Sequence, residues 1–142
     1  VRTATPDDYD DIAAVLDLWW GRSMPLPRIF LDYFYETSFV AHDESGLAGF
    51  LVGLYSPSDG EQAYIHLVGV RPDRRGSGLG RDLYERFFTL ARQSGRMRVA
   101  AITSPINVGS VAFHRRMGFT VSGPVADYNG PGQDRFAFVR NL

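Results

Sequence analysis

Residues 63–81 read Ala63-Tyr64-Ile65-His66-Leu67-Val68-Gly69-Val70-Arg71-Pro72-Asp73-Arg74-Arg75-Gly76-Ser77-Gly78-Leu79-Gly80-Arg81. An apolar strand pattern ends at Val70, and the run Arg75 to Gly80 leads straight into an amphipathic helical pattern. A glycine-rich turn between a strand and a helix start can grip a pyrophosphate. Missing Cβ atoms let the main chain come close, and the first N–H groups of a helix have no partner of their own. Gly76, Ser77, Gly78, Leu79, Gly80 and Arg81 would supply the donors, with extra positive charge from Arg74 and Arg81. A turn that merely starts a helix is the plainer alternative. Two familiar phosphate loops do not fit. A dinucleotide fingerprint needs a third glycine where Arg81 stands, and a P-loop needs Lys and Ser or Thr where Arg81 and Asp82 follow Gly80.

Working outward, Val1 to Ala4 reads as a short strand, and Thr5, Pro6, Asp7 and Asp8 read as the capped start of a helix. Ile12, Val15, Leu16 and Trp19 repeat at helical spacing, and Gly21 and Pro25 break the pattern before a second short helix from Arg28 to Tyr35. Phe39 to Ala41, Leu47 to Tyr55 and Ala63 to Val70 form a three-strand meander. Alternation along the third of these puts Tyr64, His66 and Val68 on one face and Ile65, Leu67 and Gly69 on the other. Gly69 inside it signals a bulge, a kink or a close backbone approach. The helix over Gly78 to Ser94 carries Leu79, Leu83, Phe87 and Leu90 on one stripe. A strand at Arg98 to Thr103, a helix at Asn107 to Met117 and two strands near Thr120 to Val121 and Arg135 to Val139 complete the chain. The fold class is α/β with a mixed sheet of about six to seven strands flanked by about four helices.

The 142 residues make one domain, 1–142, large enough to bury a core without staples. A net charge of -1 gives no electrostatic reason to expect nucleic acid or a membrane surface as partner. With no cysteine, a disulfide frame, a thiolate metal site and a cysteine nucleophile are excluded, and a cytoplasmic setting fits. No apolar run approaches a membrane span and no leader pattern is present, although Val1 opening directly into a strand leaves room for an upstream segment.

Arg75, two residues, Gly78, one residue and Gly80, placed between strand and helix, resemble the acetyl-CoA loop of the GNAT-type N-acetyltransferase superfamily. Asn107, Ser110, Phe113, His114 and the exit Met117-Gly118-Phe119 resemble the second half of that superfamily's cofactor site. Together the two motifs span residues 75–119. The resemblance implies a centrally splayed sheet and acetyl-CoA as co-substrate. It also implies direct attack of an amine on the thioester in a ternary complex, with no metal. It implies that main-chain groups at Val68, Gly69 and Val70 pair with the pantetheine arm, that Asn107 and Ser110 face that arm, and that position 114 stands near the sulfur. An N–H around Val68 or Gly69 would then polarise the thioester carbonyl. A homodimer is also in keeping with the family.

The chain departs from the family pattern at two places. A tyrosine commonly protonates the departing thiolate, and here the position holds His114. An imidazolium with pKa about 6.5 could serve a thiolate whose acid has pKa about 8.5. A satisfied histidine on a short helix is the other reading. The strand before the loop often carries a carboxylate base, and here its titratable residues are His66 and Tyr64. His66 is the candidate base, because an alkyl amine with pKa about 10.4 must first lose a proton. A core histidine, or a water chain to solvent, would account for it equally. Asn107 could be a plain helix cap. Trp20, Tyr64 and Tyr128 are the candidate acceptor-binding residues, with Trp19, Tyr35 and Arg135 nearby in the reading and Trp19 expected in the core. A non-catalytic CoA-binding module of the same fold is the alternative function.

Overall fold

The computed structural model describes residues 1–105 and 107–142. Its first turn shows why the chain folds as its pattern suggests. Asp8 returns its carboxylate to the Thr5 N–H at 2.8 Å, completing a capping box, and is held by the Arg2 guanidinium at 2.8 Å. That pairing keeps the buried Asp8 carboxyl below its ordinary pKa. Pro6–Asp8 form a 3-10 turn that runs into α1 (Tyr9–Trp20). Gly21, at φ 66, ends α1 by turning its N–H onto the Asp17 carbonyl at 2.9 Å.

The remaining elements follow in order: α2 (Ile29–Phe34), β2 (Phe39–Asp43), β3 (Gly46–Tyr55), β4 (Gln62–Val70), α3 (Leu79–Gln93), β5 (Arg98–Thr103), α4 (Val108–Arg116), β6 (Thr120–Val125) and β7 (Arg135–Asn141), with β1 at Arg2–Thr3. They form one seven-stranded mixed sheet in the order β1-β2-β3-β4-β5-β7-β6, in which β4 and β5 are parallel neighbours. The α/β class, the strand number and the four helices agree with the sequence reading. Among the described residues no helix is long and apolar enough to cross a membrane.

Helices cover both faces, so there are two cores. Ile12, Leu16 and Trp19 of α1 and Leu31 of α2 pack on Val40, Phe50 and Val52. On the opposite face Leu83, Phe87 and Phe88 of α3 pack with Leu51, Val99 and Phe138. Phe87 and Phe88 are fully buried, each contributing about 1.5–3 kcal/mol of transfer free energy. The buried stripe of α3 is wider than its leucine spacing alone indicates, because Tyr84 and Ala91 are also buried.

β4 does not alternate as a regular strand would. Val52 pairs with Leu67 but its neighbour Gly53 pairs with Ile65, so His66 is an extra residue on β4. The bulge therefore falls at His66 and not at Gly69. Its consequence is a change of face. Ala63 and Ile65 face the α3 core, and past the bulge Val68 and Val70 face it too, while Leu67 joins the α1 and α2 core. Tyr64 and His66 share a side, with ring centroids 6.0 Å apart, but Val68 does not join them. Gly69 serves the third of its possible roles, a close approach: a Cβ there would lie 2.5 Å from a Phe50 ring atom and 2.8 Å from Trp20.

Pairing between β4 and β5 ends at Ile65 opposite Ala101, whereas β5 stays paired with β7 as far as Thr103. The sheet thus splays at its centre from the bulge onward. β6 and β7 run longer than their apolar runs suggest. Gly123 and Pro124 read as strand breakers, but they occupy a register break between Ser122 and Val125 on an edge strand, where a missing N–H costs no ladder bond.

Gly69→Ala is expected to destabilise the protein by about 1–3 kcal/mol in denaturant unfolding, because neither Phe50 nor Trp20 can withdraw without disturbing the α1 core.

Candidate functional site

The turn between β4 and α3 is tied down before it reaches its glycines. Arg71 and Arg74 both bond the Asp43 carboxylate, at the end of β2, and Arg71 also bonds the Leu47 carbonyl at 3.2 Å. The Arg71 guanidinium holds the Asp43 carboxyl far below the usual carboxylate range. Arg75 turns the other way and donates to the Trp19 carbonyl at 2.8 Å, at the end of α1. The three arginines pin the loop between two distant parts of the fold.

Within the loop Ser77 is used internally: its N–H and its hydroxyl both bond the Arg74 carbonyl. Ser77 thus shapes the turn and is not a free donor. Gly76 and Gly78 have φ of 77° and 90°, in the left-handed region. Asp82 N–H takes the Gly78 carbonyl at 3.0 Å, which closes the first turn of α3. Among the described residues the N–H groups of Gly76, Gly78, Leu79, Gly80 and Arg81 have no backbone acceptor outside the helix, and a first helical turn offers none.

These groups border a cavity of about 510 Å³ whose lining includes Gly76, Gly78, Gly80, Arg74, Arg75, Arg81 and Arg116. Four guanidiniums and, among the described lining residues, no carboxylate make it an anion site. Through Val70, Arg75, Gly80 and Phe113 it continues into a second cavity of about 510 Å³. Here the splayed end of β4, Val68 to Val70, faces Asn107, Ser110 and His114 of the α4 segment. Asn107 makes no side-chain cap bond to α4, so the plain capping role is not used.

A third cavity of about 420 Å³ opens beyond, bordered by Arg22, Tyr64, His66, Asn129 and Arg135. Trp20, Arg22, Val68, Tyr84, Asn107, Ser110 and His114 border both the second and the third. His66 lies flat on Phe30, centroids 4.1 Å apart, and burial pushes its pKa below the ordinary histidine value. Burial also raises the Tyr64 phenol. Tyr128 is exposed, and the cavity is bordered there by its neighbour Asn129. Trp20 is half-buried against Phe50, with Trp19 in the core as expected.

His114 is buried and stacked on Phe138, centroids 4.0 Å apart. Its Nδ1 lies 2.7 Å from the Ser110 carbonyl oxygen, which can only accept, so Nδ1 carries the proton. Nε2 then accepts from the Tyr84 hydroxyl at 2.8 Å. Burial pushes the His114 pKa below its ordinary value. Neither nitrogen of the neutral ring has a free N–H to offer, so direct proton delivery from His114, the role expected for it, is not what this arrangement provides. Tyr84, Arg22 and Arg116 were not among the sequence candidates. Tyr84 follows Leu83 on an apolar stripe and has no spacing that marks it. The histidine standing where the family pattern has a tyrosine was the available hint.

The order of strands, the central splay and the glycine loop at the start of α3 define an acyl-CoA-type transferase scaffold. The chain belongs to the acetyltransferase (GNAT) family, whose model matches residues 6–119. It is 41% identical over 88 residues to the L-methionine sulfoximine/L-methionine sulfone acetyltransferase of Pseudomonas paraeruginosa, covering 59% of this chain and 51% of that one. It is 30% identical over 122 residues to the L-2,4-diaminobutyric acid acetyltransferase of Shouchella clausii, covering 82% and 68%. The chain spans about half the length of the methionine sulfoximine relative. The crystal structure of Ard1 from Thermoplasma volcanium shares the fold, with a TM-score of 0.84 over 99% of this chain and 95% of that one at 19% identity.

Gly78→Asp is expected to weaken CoA binding by roughly tenfold or more in calorimetry. It sets a carboxylate among the unpartnered N–H groups of the loop, where it would repel an incoming phosphate, and forces a side chain into a positive φ. An unchanged Kd would remove the loop from the anion site.

Proposed function

We propose that this chain is an N-acetyltransferase that moves an acetyl group from acetyl-CoA to the amine of a small amino-acid acceptor, by direct attack in a ternary complex. The observation that carries the reading is the continuous cleft. It is arginine-rich at the glycine loop, lined in its middle by the edge of β4 that has lost its β5 partner, and open to an acceptor chamber at its far end. The N–H groups of Gly76, Gly78, Leu79, Gly80 and Arg81 hold the diphosphate, while Ser77 and Arg75 shape and anchor the loop. Val68, Gly69 and Val70 offer main-chain groups to the pantetheine arm, and Asn107 and Ser110 face it from α4. An N–H near Val68 or Gly69 meets the developing oxyanion.

His66 borders the acceptor chamber, and burial, by pushing its pKa below the ordinary histidine value, favours the uncharged ring, the form with a lone pair to accept a proton from an arriving ammonium. His114 supports protonation of the departing sulfur. Trp20, Tyr64 and Tyr128 shape the acceptor entrance.

The acceptor chamber supports an amino acid over a plain amine. Arg22 and Arg135 border it, and its described lining has no carboxylate, so a substrate carboxylate finds opposite charge there and an ammonium alone does not. The relatives named for methionine sulfoximine and diaminobutyric acid point to the same class. A cytoplasmic setting and a homodimer formed through the outer edge of β6 belong to the same proposal.

Thiol release from acetyl-CoA across a panel of amino acids and their decarboxylated amines is the direct test. Amino acids should turn over and their amine counterparts should be poor. CoA binding without release for any amine would favour a non-catalytic module. Arg135→Gln should raise KM for the amino acid about tenfold or more and leave kcat within about twofold, the mark of lost ground-state binding. His66→Gln should lower the rate at pH 7 by about 10²-fold or more. The loss should shrink as pH approaches about 9 to 10, where the amine sheds its proton to solvent unaided.

A further inference from the structure

Two cavities meet at one place in this cleft. The thioester end of a cofactor lying in the second cavity and the amine of an acceptor in the third can touch only where the two share walls. Two shared hydroxyls reach the His114 ring: Ser110 Oγ lies 3.2 Å from Nδ1, whose proton is directed at the Ser110 carbonyl, and Tyr84 Oη lies 2.8 Å from Nε2, the nitrogen with the lone pair, so Tyr84 and His114 are a pair able to exchange a proton. His66 borders the acceptor chamber and is not among the described residues of the second cavity, so it attends the amine before attack, not the reacting atoms themselves.

We propose that Tyr84 and His114 form a proton shuttle that takes the proton released by the attacking nitrogen and returns it to the departing sulfur. The inference rests on the acetyltransferase reading above. A neutral amine that adds to a thioester becomes positively charged at nitrogen and must lose one proton, and the thiolate expelled must gain one. In the first transfer Tyr84 Oη accepts the proton from nitrogen while its own proton passes to His114 Nε2, leaving an imidazolium. In the second, as the carbon–sulfur bond breaks, Tyr84 Oη gives its proton to sulfur and recovers one from Nε2. The pair ends as it began, and no outside acid or base is consumed.

Three features of the structure suit this use. The bond from Nδ1–H to the Ser110 carbonyl fixes the tautomer, so the lone pair of Nε2 always faces Tyr84. The same carbonyl steadies the imidazolium when it forms. The ring cannot swing, because it is stacked on Phe138 with planes 3° apart, and Tyr84 is held edge-on by Phe88, Phe113 and Phe119. Burial raises the Tyr84 pKa well above its ordinary value and lowers that of His114, so the resting pair is uncharged and no phenolate accumulates. A phenol that is too weak an acid to give up its proton alone can still pass one on when it gains another in the same step. The histidine at position 114 is thereby given a function without a free N–H, and the tyrosine absent from that position is supplied by α3.

The test uses the purified chain, acetyl-CoA and a slow amino-acid acceptor, so that chemistry limits turnover. Tyr84→Phe, which keeps the ring and its packing, should lower kcat by about 10²–10⁴-fold. KM for the acceptor and the calorimetric Kd for CoA should stay within about twofold. A kcat within about threefold of wild type overturns the shuttle. In the wild type, kcat measured across mixtures of light and heavy water should follow a curve of two protons in flight, and a straight line overturns the proposal even should the variant fail to fold. Nitrogen-15 NMR of the His114 ring, read without substrate, should show the proton on Nδ1; a proton on Nε2 overturns it. Wild-type protein that binds CoA but acetylates no amine refutes the function itself. Turnover that survives the loss of the Tyr84 hydroxyl refutes the shuttle alone.

Discussion

One extra residue in β4 governs the site. Because His66 is inserted opposite a single step of β3, the strand changes face, bends, and leaves β5 after Ile65. A parallel ladder would otherwise have consumed the main-chain groups of Val68 to Val70, and no cleft would run through the middle of the sheet. The bulge also brings His66 itself to the acceptor side, flat on Phe30. Gly69 permits the arrangement from the opposite face, since any side chain there would strike Phe50 and Trp20. The open main chain is thus a product of packing on both sides of the strand.

Charge is graded along the cleft, and the grading follows from how the arginines are employed. At the loop, Arg71 and Arg74 are paired with Asp43, so their work is largely to hold the turn in place. Arg75 is committed to the Trp19 carbonyl. Arg81 and Arg116 border the anion cavity with no ion pair among the described salt bridges, and with the N–H groups of the α3 start they leave a positive field there. In the middle of the cleft Trp19, Trp20, Tyr84 and Phe113 bring aromatic walls between Arg75 at one end and Arg22 at the other, and a buried proton shuttle is at home where neither partner needs to be charged at rest. Arg22 borders both the middle and the far cavity, and Arg135 adds positive charge at the far end, where an acceptor carboxylate would lie.

The glycine loop, the strand and helix order and the polar face of α4 were legible in the sequence because each is a local pattern: special φ values, a period of two, a period of 3.6. Asn107, Ser110 and His114 border the same cavity as the strand end, Val68 to Val70. What was misread turned on distant partners. The bulge at His66 depends on register against β3, the full length of β6 depends on its being an edge, and the engagement of Arg75 depends on the carbonyl of Trp19.

By itself, then, the order of residues determined the family scaffold and the place of the glycine turn, because strands, helices and glycine turns are specified by near neighbours along the chain. Only the tertiary structure decided which side chains meet in the cleft. Tyr84 and His114 lie thirty residues apart on different helices, and a hydrogen bond between them exists only once α3 and α4 are packed against the same sheet. Proton transfer needs contact within hydrogen-bond reach, and such contact is a property of the folded molecule, not of any segment of its chain.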